Sequence, residues 1–265
     1  MSEPVLLVNQ NRGLVELIFN RPEQGNALNE TMIDAMADAL RQAASMPELR
    51  LLVIRAQGKH FSTGADLNWM KQACQLTPEQ NLAAARKLAL LLQQIDTFAH
   101  PVLALVQGAA YGGALGIISC CDLVIASNNS RFCFSEVRLG LIAATISPYV
   151  LRAIGLRQAR RYLLTAEVIT AATAKQLGLI HYTAAPEQSL DEAADALIAG
   201  LLRNGPCALT ATKQWLQDIA DLPIDADLIE RSAQRLAEVR VSDEAQAGVH
   251  AFLQQQPPPW EDDNV

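Results

Sequence analysis

The chain has 265 residues, half of them hydrophobic and 18% charged, with a formal net charge of −7. That is enough apolar material for a substantial buried core, in one large domain or two unequal ones. The acidic balance argues against non-specific nucleic-acid binding, so any polyanionic ligand must find positive charge locally. Five cysteines, at 74, 120, 121, 133 and 207, form no CxxC and stand near no His at zinc spacing. They predict reduced thiols in a cytoplasmic protein. The start, MSEPVLLVNQNRG, lacks a basic region, a long apolar run and a cleavage site, so no signal peptide is expected.

In chain order, "VLLVNQ" and "GLVELIFN" are short apolar runs around Asn11-Arg12-Gly13 and predict a hairpin. "RPEQGNALN" reads as loop, and Asn29 as the cap of a helix with Met32, Ile33, Met36 and Leu40 on one face. "LRLLVIRA" predicts a strand covered on both sides, and "QGKHFSTGADLNWM" a loop entering a helical turn. Thr77-Pro78-Glu79 supplies a cap, an N1 proline and an early acid for a helix reaching about Thr97. Pro101 opens the strand "VLALV", which runs into "GAAYGGALGIISCCDL". Residues 102–121 are apolar enough to test as a membrane span, but Gln107, four glycines and the lack of a basic flank favour a buried strand-turn-helix. "DLVIAS" and "RFCF" are further strands, and Ser147-Pro148 caps a helix ending near Gly155. The alternation to about residue 190 predicts α/β architecture with helices packed outside sheet. From Ser189 the pattern is all helical, broken at Gly205-Pro206 and Leu222-Pro223. Residues 1–195 are therefore expected to form the core with the site, and 196–265 a helical assembly region. The tail "QQQPPPWEDD" is expected to be loose.

Gly108, Gly112, Gly113 and Gly116 fall between a strand and a helix, where unpaired N–H groups and the helix dipole favour negative charge. The stretch is neither GxGxxG nor a P-loop, and glycines that merely let a helix pack on a sheet would account for it equally well. The "STGAD" loop also follows a strand, exposes small residues and leads into helix. Two such turns face to face can each offer an N–H to one oxygen, an oxyanion hole contributing about 3–4 kcal/mol per donor. The four histidines have no metal spacing, and no Gx[SC]xG elbow exists for a hydrolytic nucleophile.

"NRPEQGNAL", "HFSTGADLNWM", "VQGAAYGGALGIISCCDLVIA", "FSEVRLGL" and "TAEVITAATAKQLGLI" resemble the crotonase (enoyl-CoA hydratase/isomerase) superfamily in order and spacing, over essentially the whole chain. The resemblance implies an α/β spiral of ββα units, a helical trimerisation region giving a homotrimer or dimer of trimers, and an acyl-CoA substrate. It implies no metal and no cofactor beyond the coenzyme A of the substrate. By the same match the N–H groups of Ala65 and Gly113 form the oxyanion hole for a thioester carbonyl. Ala27, Lys59, Ser62, Ala65, Asp66 and Leu67 would meet coenzyme A, and Trp69 and Met70 would line the acyl pocket. A basic residue common near the family's C-terminus is absent, since Gln254–Gln256 stand there.

Hydratases of this superfamily typically carry two glutamates. Where one would stand, this chain has Gly116, and Asp122 is too far along to replace it simply. The other falls on Glu136 in a Ser-Glu turn, which makes Glu136 the candidate acid/base. Its apolar flanks, "RFCF" and "LGLIAATI", weigh against an ordinary solvated acid, and desolvation there would raise its pKa. "GADLNWM", Gly116, "SCCD" and "SEVRLGL" followed by "ATISPYV" look like bacterial methylglutaconyl-CoA and isohexenylglutaconyl-CoA hydratases, of leucine and acyclic terpene breakdown. Ile146 and Tyr149 then belong to the pocket, Ala143 stands where close relatives often have Pro, and Arg138, Arg152 or Lys71 could meet a substrate carboxylate. Two alternatives stay open: an enoyl-CoA isomerase shuttling a proton with one glutamate, and an inactive scaffold that binds CoA or RNA.

Overall fold

The computed structural model describes residues 3–261. A hairpin opens the chain, β1 (Leu6–Asn11) pairing antiparallel with β2 (Leu14–Phe19) across Arg12 and Gly13, both at positive φ. Next come α1 (Glu30–Ala44), β3 (Leu51–Ala56), α2 (Leu67–Ala73), α3 (Pro78–Asp96), β4 (Val102–Val106), β5 (Ala109–Tyr111) and α4 (Gly113–Cys120). β6 (Leu123–Ser127), β7 (Arg131–Cys133), α5 (Ser147–Thr165), β8 (Ile169–Thr170), α6 (Ala171–Leu177) and β9 (Tyr182–Ala184) complete the α/β part. The rest is helical: α7 (Leu190–Leu202), α8 (Pro206–Ile219), α9 (Ala226–Arg240) and α10 (Asp243–Leu253).

One sheet has the order β1-β2-β3-β4-β6-β9, parallel from β2 onward, and a smaller one has the order β5-β7-β8. β4 is buried along its whole length, as a parallel strand covered on both faces should be. α1 turns Met32, Ile33, Met36, Ala39, Leu40 and Ala43 inward at helical spacing, and each large side chain so buried stabilises the fold by about 1.5–3 kcal/mol. Asn29 caps α1 by accepting from the Met32 amide, and Thr77 and Gln80 close a reciprocal capping box on α3. The apolar run at 102–121 resolves into β4, β5 and α4, and no helix of the described residues is long and apolar enough to cross a membrane.

By contacts the chain divides into two units, residues 1–98 with 102–194, and residues 99–101 with 195–265. In the second unit the Glu244 carboxylate accepts from the Cys207 and Ala208 amides at 2.8 Å, which caps the start of α8.

The helical run from Ser147 breaks at Gly155 as expected (φ 72°, ψ 155°), and a second helical stretch continues from there to Thr165. Two details differ from the sequence expectations. Ser147 is not the cap of α5; Ile146 holds that position without a side-chain bond, and the Ser147 hydroxyl donates to Ala144 O. The described part of the tail is anchored, because the Trp260 indole N–H donates to Arg203 O at 3.0 Å and its ring lies against Gly248. Strands β5, β8 and β9 escape sequence reading because two or three residues carry no periodicity.

Asn29→Ala should lower unfolding stability by about 1 kcal/mol, read as a shifted denaturant midpoint at unchanged slope. An unmoved midpoint would show that the cap contributes nothing.

Candidate active site

The loop after β3 is fastened from both sides. Asn26, wholly buried at φ 53°, donates from its amide to Gln57 O (2.8 Å) and His60 O (2.7 Å) and accepts from the Arg21 amide (2.8 Å). Further along, Ser62 N donates to Ala109 O and Tyr111 N to Ser62 O, each at 3.0 Å, which ties this loop to β5. Leu28 then makes a parallel bridge: Leu28 N donates to Gly64 O (2.7 Å) and Asp66 N to Leu28 O (2.8 Å). In such a bridge Leu28 bonds the residues on either side of Ala65, so the Ala65 N–H points the other way. Among the described residues it meets no acceptor.

The second turn is built by close backbone approach. A Cβ on Gly108 (φ 60°) would lie 2.1 Å from Lys59 O, so no other residue fits. Beside it, His60 Nδ1 accepts from the Ala109 amide at 3.0 Å, and burial together with the Lys59 charge holds the imidazole pKa below its ordinary value. Gly112 (φ 53°, ψ −123°) donates to Cys133 O at 3.0 Å and turns the chain into α4 without a side-chain cap. The Gly113 amide therefore opens the helix without an acceptor among the described residues. The loops touch at their glycines: a Cβ on Gly64 would sit 3.4 Å from Tyr111 O, and one on Gly112 would sit 3.9 Å from Gly64 Cα. The amides that follow these glycines, Ala65 and Gly113, thus border one gap.

Glu136 completes the arrangement. It begins a single 3₁₀ turn after β7, and its Oε1 lies 3.4 Å from the place a Gly112 Cβ would take. Its Oε2 is buried with no hydrogen-bond partner. Burial pushes its pKa above the ordinary glutamate value, against a smaller opposing bond from its own backbone amide. A buried oxygen left unbonded costs about 1–3 kcal/mol, which marks a group kept for something other than stability.

The other expected residues fall around these loops in different ways. Ser62 is fully buried, and its hydroxyl accepts from the Gly64 amide at 3.3 Å. Ala27 is buried and its carbonyl accepts from the Arg21 guanidinium at 2.7 Å, while Lys59, Ala65 and Leu67 are exposed. Asp66 is committed elsewhere: it pairs with Arg21 at 2.7 Å and caps α2 through the Asn68 and Trp69 amides. Burial pushes its pKa up, but the bonds from Arg21, Trp69 and Asn68 prevail and hold it below the ordinary range. Trp69, Met70 and Tyr149 are half-buried, with Trp69 and Tyr149 packed against the core. Ile146 is 1% exposed and lies inside the core against Gly116. Of the three cations, Arg152 pairs with Asp96 and stacks on Tyr149, Arg138 donates to Ala166 O at 2.6 Å, and Lys71 is exposed on α2. Sequence reading passed over Asn26 and Arg21. The one available signal was a polar side chain inside the loop "RPEQGNALN", and it does not reveal long-range partners.

Two unpaired backbone amides on touching loops, with a half-buried carboxyl over Gly112, are the groups from which an oxyanion-stabilising, proton-moving site could be built. Residues 9–263 match the family model described as enoyl-CoA hydratase/isomerase, and the chain belongs to that family. It is similar to a crystal structure of an enoyl-CoA hydratase from Shewanella pealeana, at 43% identity and TM-score 0.93 over 97% of this chain and 96% of that one. The structure of Pseudomonas aeruginosa AtuE is 31% identical at TM-score 0.92, covering 97% of this chain and 99% of that one. The 2,3-dehydroadipyl-CoA hydratase of Escherichia coli is 31% identical over 261 residues, 97% of this chain and 98% of the relative. The fold is that of crotonases, and the chain is an enzyme of the enoyl-CoA hydratase type.

Gly112→Ala would force an alanine into a backbone conformation with φ 53° and bring a methyl group against the Glu136 carboxylate. Turnover should fall by about 10²-fold or more, the loss expected for one oxyanion donor. Wild-type kinetics in this variant would dissociate Gly112 from the site.

Proposed function

We propose that this enzyme hydrates a β-branched glutaconyl-CoA-type thioester such as methylglutaconyl-CoA or isohexenylglutaconyl-CoA, in leucine or acyclic terpene breakdown. The observation that supports the reading best is the Glu136 carboxyl, whose Oε2 is buried and unbonded and whose Oε1 lies over Gly112, where the two turns touch. Glu136 takes a proton from water as its oxygen attacks C3. Charge then builds on the thioester oxygen, which the Ala65 and Gly113 amides receive. The same carboxyl returns the proton to C2, so H and OH are added across the double bond. The steps balance without a redox partner, and the proposal calls for no cofactor beyond the coenzyme A of the substrate.

Coenzyme A would run along residues 62–67, with the exposed Lys59 meeting phosphate and Ala27 at the base of the loop. Since Asp66 is engaged by Arg21, contacts there would come from the backbone. Trp69 and Met70 would flank the acyl chain. Arg152 and Arg138 are already engaged, which leaves Lys71 for a substrate carboxylate; the relative named for 2,3-dehydroadipyl-CoA fits a substrate of that kind. Exposed Ile224, Ile229, Val241, Phe252 and Leu253 on the helical unit support assembly into a trimer or dimer of trimers. None of the five cysteines is in a disulfide, in keeping with a cytoplasmic location.

One observation favours the isomerase reading: no acid accompanies Glu136 on α4, and a single carboxylate can carry a proton between C2 and C4. Incubation with methylglutaconyl-CoA, isohexenylglutaconyl-CoA, crotonyl-CoA and a 3-enoyl-CoA separates the two. Loss of enoyl-thioester absorbance is expected on the first two, and turnover of the 3-enoyl thioester alone would replace hydration by isomerisation.

Glu136→Gln should lower turnover by about 10²-fold or more. Because the folded pKa is raised, the native state holds this proton more tightly than the unfolded chain, so ionisation weakens the fold as pH rises through that range. The variant should therefore unfold at a higher temperature than wild type at neutral pH, with the gap closing below the ordinary glutamate range. The acid limb of wild-type kcat/KM should lie above that range, and a limb at the ordinary glutamate value would remove the desolvated base.

A further inference from the structure

A short parallel ladder joins the loop after β3 to the turn that opens β5. Phe61 N donates to Gln107 O at 2.8 Å, and Ser62 N to Ala109 O and Tyr111 N to Ser62 O at 3.0 Å each. In a regular parallel ladder bridged at Ser62 and Ala110, the Ala109 amide would donate to His60 O. Here His60 O is turned the other way and accepts from the Asn26 side chain at 2.7 Å. The Ala109 amide donates instead to His60 Nδ1 at 3.0 Å. The imidazole thus takes the place of its own carbonyl. Gly108 gives the ring its room, since a Cβ there would lie 2.7 Å from His60 Nδ1 as well as 2.1 Å from Lys59 O. The ladder also ties the two amide turns together. Beyond Ser62 the chain leads to Gly64 and Ala65, and β5 runs from Ala109 into Gly112 and Gly113.

We infer that His60 is a positioning residue: its neutral imidazole closes the end of the ladder that sets the two amide turns side by side, and protonation opens that end. His60 touches no reacting atom and acts through Ala109. Nδ1 accepts only through its lone pair, so the ring must be uncharged with its proton on Nε2. A protonated ring would set donor against donor at the Ala109 amide. Lys59 is the charged group that acts on the ring, while Asn26, Gly108 and Ala109, which face His60 from the loop after β2 and the start of β5, carry no charge. Burial, and then the Lys59 charge, lower the folded pKa, so the unfolded chain takes up this proton first. The contribution of the bond is full above the ordinary histidine range and is lost as pH falls below it. This inference rests on the reading of Ala65 and Gly113 as the amides that receive charge.

Two variants and a spectrum test it. His60→Phe keeps a planar ring and removes the acceptor, whereas His60→Asn offers Oδ1 near the place of Nδ1 and accepts at every pH. Above the histidine range, His60→Phe should lower kcat by about 10-fold to 10²-fold, the loss expected when preorganised donors drift, and His60→Asn should recover most of it. Below that range the ratio of wild-type to His60→Asn turnover should fall with pH, because both enzymes share the Glu136 limb and only wild type loses the imidazole acceptor. His181 serves as the control: its Nδ1 accepts from the Val124 amide at 3.1 Å, outside this ladder, so His181→Asn should keep the wild-type profile. A pH-independent ratio, or an Asn variant no better than Phe, overturns the inference.

Nitrogen NMR of histidine-labelled wild type gives a readout that needs neither turnover nor a folded Phe variant. The resonances lost in His60→Asn should show an unprotonated Nδ1 and a protonated Nε2 at neutral pH; the other tautomer, or a charged ring, overturns the inference. If wild type turned over no enoyl-CoA, the functional reading would fall. The tautomer, with faster exchange of the Ala109 amide hydrogen in His60→Phe than in His60→Asn, would still decide whether the ring closes the ladder.

Discussion

The site depends on one steric constraint, the close approach of two backbone turns at Gly64 and Gly112. Neither turn carries a reactive side chain. Both turns run through glycines at positive φ, which other residues rarely adopt, and each leaves the following N–H without a backbone partner. Hydrogen bonds then make the approach permanent: Ser62 with β5, Leu28 with residues 64 and 66, and Asn26 across the base of the loop. Such preorganised amides need not reorient when charge appears, which is why they can stabilise a transition state more than a ground state.

Around that contact the chain sorts polar groups into two kinds. Asn26, Asp66, Ser62 and His60 are polar, buried wholly or in part, and bonded, so each fixes the loops in one geometry. Glu136 is the exception, with one oxygen buried and unbonded. Burial supplies the basicity, and no neighbouring charge is needed to raise the pKa.

A second steric constraint pairs Gly116 with Ile146. Ile146, at the N-cap of α5, fills the space where a Gly116 side chain would stand. Glycine is called for at 112 by its positive φ, and at 116 by the Ile146 and Leu92 side chains that fill the space beside it.

Sequence alone determined the hairpin at Arg12-Gly13, the caps at Asn29 and Thr77, the α/β order and the helical C-terminal part. Each rests on local chemistry: a turn residue, a capping oxygen, or an apolar period longer than four residues. It also singled out Glu136 and the two glycine turns as candidates, because short motifs in fixed order survive as text. Tertiary structure decided what depends on distant partners. Gly116 reads in sequence as a missing acid, and only the fold supplies the Ile146 side chain that keeps it bare. Asp66 reads as a ligand contact, and only the fold brings Arg21 to it from 45 residues away. The short strands and the anchoring of Trp260 were hidden for the same reason. Their energy comes from groups far apart in the chain, and no local pattern records which of those groups will meet.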